Sequence, residues 1–418
     1  MKKIFVAITL AILCLSIVLS FTVNAQQADS WPMFHRDTAH TGYSTATGPI
    51  TNQTLWVFDT NGWVLTSPAV ANGIVYFTSS DEGYFHTSNN NIYALNAKDG
   101  SKIWNYSVSA KIYTSPAVAD DMVFFGSDDH AIYGLNATTG AYVWKCVTGG
   151  PAEGAPTVSN GVVYAGSNDK KLWAIDAASG MPLWNFTTGG LVTSAPAVDN
   201  GVVYFGSYDK KVYALDASTG AEKWSFPTES VVASSPAVAD GKVFVGSFDN
   251  NTYALNADTG VLVWKVKTGY DQCVQASPAF ANGVIYTGGA FDKKVYALDA
   301  TTGTQKWTYT LDDGLTTAPA IIGNTIYVTS TLGNKTYALD SESGNFLWSF
   351  QTNGYIYSSP AVVDGIAYFG AYDGNFYAVG QTASTSGAAI PNTVYYVIVI
   401  VVLIVVIATA IVMLRKRR

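Results

Sequence analysis

Four things are scarce in this 418-residue chain, and each scarcity closes off a class of protein. There are 3 cysteines, too few for a disulfide-stapled scaffold. There are 4 histidines, which leaves little for clustered metal ligation. Charged residues make up only 13%, against 48% hydrophobic and 13% aromatic, so the chain is neither disordered nor a nucleic-acid binder. Basic residues are the scarcest of the charges. Lys2 and Lys3 and the tail Arg415-Lys416-Arg417-Arg418 account for six of the 23, and the remaining 17 face 30 acidic residues, a balance of −13. An acidic body of this kind repels nucleic acid and anionic headgroups.

Long apolar runs are confined to the two ends. Lys2-Lys3 precedes an apolar run from Ile4 to Val23 with small residues at Asn24-Ala25, the pattern of a signal peptide over residues 1–25. Val394 to Leu414 is uncharged and long enough to span a bilayer, and the basic residues 415–418 behind it are expected to stay cytoplasmic. Residues 381–393 read as a linker. The expected product is a single-pass protein of the cell membrane with its bulk outside. Cys14 falls in the leader; Cys146 and Cys273 lie three repeats apart and are expected as free, mostly buried thiols.

Between the ends, tryptophan recurs at Trp56, Trp104, Trp144, Trp184, Trp224, Trp264, Trp307 and Trp348, a pitch of about 40 residues. Within one repeat, Trp184 to Trp224, four short β runs alternate with turn chemistry: Ser194–Val198, Val202–Gly206, Val212–Leu215 and the run carrying Trp224. Asp199-Asn200-Gly201 and Asp216-Ala217-Ser218-Thr219-Gly220 supply turns in which Asp bonds the backbone ahead and Gly takes positive φ. The first-strand proline recurs from Pro68 to Pro360, the second-strand aromatic from Tyr76 to Tyr368 and the third-strand aromatic from Tyr93 to Tyr377, eight times each. The expected fold is all-β: an eight-bladed propeller of four-stranded antiparallel blades over residues 51–380, with a lead-in at 26–50 and one C-terminal transmembrane helix. Trp56 precedes the first proline unit and no Trp strand follows Tyr377. The strand around Leu55-Trp56-Val57 should therefore complete the last blade and close the ring.

The run [Asp/Asn]-Ala-x-[Ser/Thr/Asp]-Gly followed by Trp, from Asn96–Trp104 to Asp299–Trp307 and again at Asp340–Trp348 with Ser341 in place of Ala, resembles the docking motif of the pyrroloquinoline-quinone (PQQ) binding-like propeller repeats. Trp31-Pro32-Met33-Phe34-His35-Arg36-Asp37 through Gly42 looks like the lead-in of such proteins. The resemblance covers roughly residues 30–380. It implies that the tryptophans are structural, each buried between neighbouring blades with its indole N–H bonded. The family name also implies a cofactor. Quinoprotein dehydrogenases of this fold hold PQQ near the axis with calcium and a catalytic Asp, many with a disulfide between adjacent cysteines. This chain has no adjacent cysteine pair and no c-type haem motif, and Asp169, Asp209, Asp249, Asp292 and Asp373 read as turn residues. The reading is therefore no cofactor and no enzyme, with a PQQ- and calcium-dependent alcohol or sugar dehydrogenase as the alternative. Similar repeats also occur in bacterial lipoproteins that help assemble outer-membrane proteins without chemistry of their own.

Functional residues are sought where the pitch breaks. An insertion occupies Asp81 to Asn90, and extra residues surround Tyr270 to Cys273; both fall where second-to-third-strand turns and blade connections share one rim. The candidate rim comprises Tyr84, Phe85, His86, Lys170, Lys210, Tyr270 and Lys293, facing an extracellular protein or glycan. His35, His40 and His130 read as ordinary surface histidines. Sequons at Asn52, Asn105, Asn136, Asn185, Asn250 and Asn334 offer glycosylation sites.

Overall fold

The computed structural model describes residues 30–80, 90–270 and 276–381. The leader 1–25 and the segment 382–418, with its expected membrane span, lie outside the described residues. No described helix is long and apolar enough to cross a membrane.

Among the described residues, thirty-two strands form eight antiparallel four-stranded sheets, and a thirty-third, Tyr43–Ser44, pairs in parallel with the inner strand of the seventh. Blade 4 shows the unit. Ala197–Asp199 is innermost, followed outward by Val202–Ser207, Lys211–Asp216 and Glu222–Pro227. The inner strand begins after Pro196 and not at Ser194, because proline has no N–H to give to a ladder. The middle strands are almost wholly buried, whereas the outer strand is exposed or half-buried except at Trp224, at 8% exposure.

Seven of the eight repeat tryptophans donate to the next blade. The Trp224 indole donates to the Ala257 carbonyl at 2.8 Å and Trp104 to Ala137 at 2.8 Å, with Trp144, Trp184, Trp264 and Trp307 following suit. A register shift between Ala214 and Leu215, against Trp224 and Glu222, bulges the outer strand just before the tryptophan. Such a bulge re-aims the following side chain, and it recurs in the other blades. The receiving turn is built for the contact. Gly220 sits at φ +73, and a Cβ there would stand 2.7 Å from the Trp184 ring. The turn glycine therefore supplies both left-handed backbone and a flat seat. Asp216 Oδ1 meanwhile accepts from the N–H and hydroxyl of both Ser218 and Thr219, and these bonds hold its carboxyl down at about 2.

The ring closes as the sequence indicates. Thr54–Asp59 pairs antiparallel with Asn375–Gly380 and becomes the outer strand of blade 8, with Trp56 bonded to Ala97 of blade 1 at 3.1 Å. Blade 8 has no third-to-fourth-strand turn, and the incoming chain takes over its place. Tyr327 of blade 7 donates to Pro49 O at 3.0 Å, where Tyr204 and Tyr368 use turn alanine carbonyls.

The lead-in is not an appendage outside the propeller. It runs along the inner strands, offering backbone carbonyls to their otherwise unpaired edges. Val70 N–H bonds Trp31 O, Val118 bonds Pro32, Val198 bonds Thr38, Val238 bonds Ala39, Phe280 bonds Thr41 and Ile321 bonds Gly42, all at 2.6–2.8 Å. One short segment thereby satisfies the inner edge of six blades. His35 and His40 go with it. Both are buried, at 2% and 0% exposure, which corrects their reading as surface histidines. His35 Nδ1 lies 2.9 Å from His40 O, and His40 Nε2 lies 3.0 Å from Thr157 Oγ1 of blade 3. Burial lowers His35 to about 4 and His40 to about 3. His130, by contrast, is exposed.

Candidate functional rim

The fold brings second-to-third-strand turns and blade connections to one face and stitches them together. Tyr208 N–H bonds Leu191 O at 2.9 Å, Phe248 bonds Val231 O at 2.9 Å and Tyr372 bonds Tyr355 O at 2.8 Å. The expected sharing of a rim thus has a hydrogen-bonded basis.

The recurrent aspartates of this rim are consumed by structure. Asp209 accepts from the Gly189 N–H at 2.8 Å, from the Lys211 N–H at 3.2 Å and from the Tyr213 hydroxyl at 2.7 Å. Asp249 binds the Glu229 N–H and Tyr253 in the same way, and Asp373 binds the Asn353 N–H and Tyr377. Asp169 receives the Gly149 N–H and the Trp173 indole. Asp292 receives Tyr296 at 2.6 Å, and burial raises its carboxyl despite that bond. Burial and the adjacent carboxylate together push the tyrosine hydroxyls well above their usual range. These carboxylates tie each turn to the incoming connection and to its own third strand.

Lys170, Lys210 and Lys293 occupy one equivalent turn position, with φ of 67°, 70° and 58°. Their carbonyls accept from Thr188, Thr228 and Leu311, while their side chains are exposed. They stand one per blade in blades 3, 4 and 6. Lys293 Nζ lies 3.9 Å from Asp313, and the neighbouring Lys335 pairs with Asp312. Tyr270 is 65% exposed, with Lys267 over its ring at 6.0 Å. Tyr84, Phe85 and His86 lie outside the described residues, between Ser80, whose backbone pairs with Trp63, and Asn90. Of the sequons, Asn52, Asn105 and Asn185 are exposed, and Asn136, Asn250 and Asn334 are half-buried. Cys146 is a free, buried thiol, raised by that burial; Cys273 lies outside the described residues.

One feature of the rim escaped the sequence reading. The residue just before the turn aspartate (Gly333 takes that place in blade 7) is polar in blades 2 and 3, Asp128 and Asn168. It becomes apolar in five successive blades: Tyr208, Phe248, Phe291, Leu332 and Tyr372. Phe291 is 58% exposed and Leu332 49%. At the end of this arc Tyr372 packs on Trp63 at 4.5 Å, with Tyr355 and Tyr357 against it at 5.9 and 5.4 Å. The signal was present as a column of turn residues, but the five side chains differ too much in type to register as a motif.

Comparison with known proteins decides the family. The family model described as outer membrane protein assembly factor BamB matches residues 39–112, 88–193, 183–313 and 291–386, which together span most of the chain. The chain belongs to this family, whose repeats are of the PQQ-binding-like type. No curated protein matches it significantly in sequence. Among solved structures it is similar to BamB from Moraxella catarrhalis, at 19% identity and a TM-score of 0.67, over 80% of this chain and 99% of that one. It is similar also to a europium-containing methanol dehydrogenase, at 16% identity and 0.69, over 84% and 91%. The quinohemoprotein alcohol dehydrogenase from Comamonas testosteroni matches at 15% identity and 0.70, over 86% and 82%. At such identities the likeness is one of fold.

Among the described residues, the turn aspartates do not offer a ready site for PQQ with calcium. The turn aspartates are committed to backbone and tyrosine donors. Among the described residues no three His, Cys, Asp or Glu side chains gather to hold a metal. The one arginine ahead of the C-terminal tail, Arg36, sits in the lead-in beside Asp37.

Proposed function

We propose that the protein is a non-catalytic binding or scaffolding propeller of the cell envelope, held to the membrane by the apolar segment 394–414, with its propeller on the extracytoplasmic side. Its partner is an extracellular protein or glycan met at the rim of turns and blade connections. One observation carries this reading: on that rim Asp209, Asp249 and Asp373 are spent on turn bonds, while large apolar side chains stand exposed or half-exposed on successive blades. Exposed apolar surface costs solubility and is retained where something binds it. Lys170, Lys210, Tyr270 and Lys293 are assigned to the same face, and Tyr84, Phe85 and His86 remain candidates for it from the insertion outside the described residues. Membership in a family described by an outer membrane assembly factor supports a binding role.

Deleting residues 81–90 from the full-length protein tests the assignment. Capture of cross-linked partners on cells should be lost while the melting temperature holds; unchanged capture would sink the rim. For the dehydrogenase alternative, saturating PQQ with calcium should leave the melting temperature unmoved. A saturable rise accompanied by alcohol-dependent dye reduction would overturn the non-catalytic reading.

A further inference from the structure

We infer that the arc from Tyr208 through Phe248, Phe291 and Leu332 to Tyr372 is a binding track for an uncharged, linear polysaccharide. The inference rests on the rim reading above and names its ligand class. Three observations carry it.

The first is spacing. Each apolar side chain comes from the same turn position of consecutive blades, Tyr208, Phe291 and Leu332 exposed and Phe248 and Tyr372 half-buried, so the rotation of the propeller sets them out one per blade along a curve. Protein-binding hot spots gather at the centre of a patch inside a polar ring. A row of separated platforms instead suits a chain whose repeating units present similar apolar faces one after another. The second is the state of the charges among the platforms. Glu229 pairs with Lys265 at 2.5 Å, Asp312 with Lys335 and Asp313 with Lys293, and the turn aspartates are held by N–H and phenol donors. A charged ligand would compete with these pairs, Lys210 standing exposed outside them, whereas a neutral one leaves them in place. The third is the end of the track, where Trp63, Tyr355 and Tyr357 surround Tyr372. Tyr355 is 46% exposed and Tyr357 41%, and their rings meet Tyr372 at interplanar angles of 61° and 50°. These tilted amphipathic rings join flat apolar faces to hydroxyls, the pairing that a sugar's C–H face and rim of hydroxyls require.

The experiment is affinity electrophoresis of the full-length protein in non-ionic detergent, in native gels cast with dextran, laminarin or mannan, and with alginate as the anionic comparison. Retardation is expected in at least one neutral gel, undiminished by 1 M NaCl, and reduced at least tenfold in dissociation constant by the double variant Tyr208→Ser/Phe291→Ser. Both side chains are exposed, so the variant should keep the parent's melting temperature; Tyr372→Ser provides an independent second variant. No retardation in any neutral gel overturns the proposal, as does retardation confined to alginate or binding that survives all three substitutions. If sugars fail but the variants still lose a cross-linked protein on cells, the polysaccharide falls and the rim reading stands. If the variants lose neither, both fall.

Discussion

Blade 4 and blade 8 have the same four strands and opposite histories in the chain. Every strand of blade 4 follows the last through a hairpin, Ala197 to Pro227, and each contact within it is local. Blade 8 takes three strands from residues 361–380 and its outer strand from 54–59, so its last ladder waits for the whole ring. The lead-in reaches further still, bonding the inner strands of blades 1, 2, 4, 5, 6 and 7. Blades 2 to 6 are held by repetition; blade 8 and the axis are held by one N-terminal segment used twice. Local contacts form at low entropic cost, whereas this closure must bring together residues more than 300 apart in sequence.

That contrast can be broken most severely by deleting residues 30–59. The ring should lose its single cooperative unfolding transition and expose the edge at Asn375–Gly380 to association; calorimetry and light scattering read this, and an unchanged sharp transition would refute the closure role. An interior substitution should be graver than average yet survivable. Trp224→Ala removes a buried indole and its bond to Ala257, and should cost about 3–5 kcal/mol in denaturant unfolding.

Acid acts selectively on the axial segment. His35 and His40 have folded values lowered by burial, to about 4 and about 3, so the unfolded chain takes up protons near 6.5 while the folded chain does not. Their contribution is present above pH 6.5 and is lost as pH falls towards 4, on the order of 3 kcal/mol for His35 by the usual conversion. Asp37, raised by burial, works in the opposite sense and softens the slope. A melting temperature flat from pH 7 to 4, or a slope unchanged in His35→Gln/His40→Gln, would contradict this.

The smallest effect separates backbone from docking within one blade. Gly201 and Gly220 share φ near +74, but a Cβ at Gly201 meets nothing within 4 Å, while one at Gly220 meets the Trp184 ring at 2.7 Å. Gly201→Ala should cost about 1 kcal/mol for backbone strain alone, and Gly220→Ala about 1–3 kcal/mol more. Equal costs would mean that the seat for the tryptophan does not matter.

What was legible in the sequence follows the same division. The eight-fold period, the strand order, the glycine turns and the closing role of Trp56 were readable, because each is a local pattern repeated or conspicuously unpaired. The turn reading of Asp209 and its equivalents was readable for the same reason. Burial of His35 and His40 was not, since polar lead-in residues look solvent-facing until six inner strands are seen to surround them. The candidate rim was legible only at its insertions. Lys170, Lys210 and Lys293, read as parts of one rim, stand one to a blade, and the exposure of the apolar arc appears only when the turns of successive blades are brought side by side.

The sequence by itself determined the blade, because hairpins, bulges and docking glycines are settled among residues within one or two repeats of each other. Tertiary structure alone decided the axis and the rim. There, groups more than 300 residues apart meet because the ring curves back on itself, and the 40-residue pitch does not say which of them will be buried and which exposed.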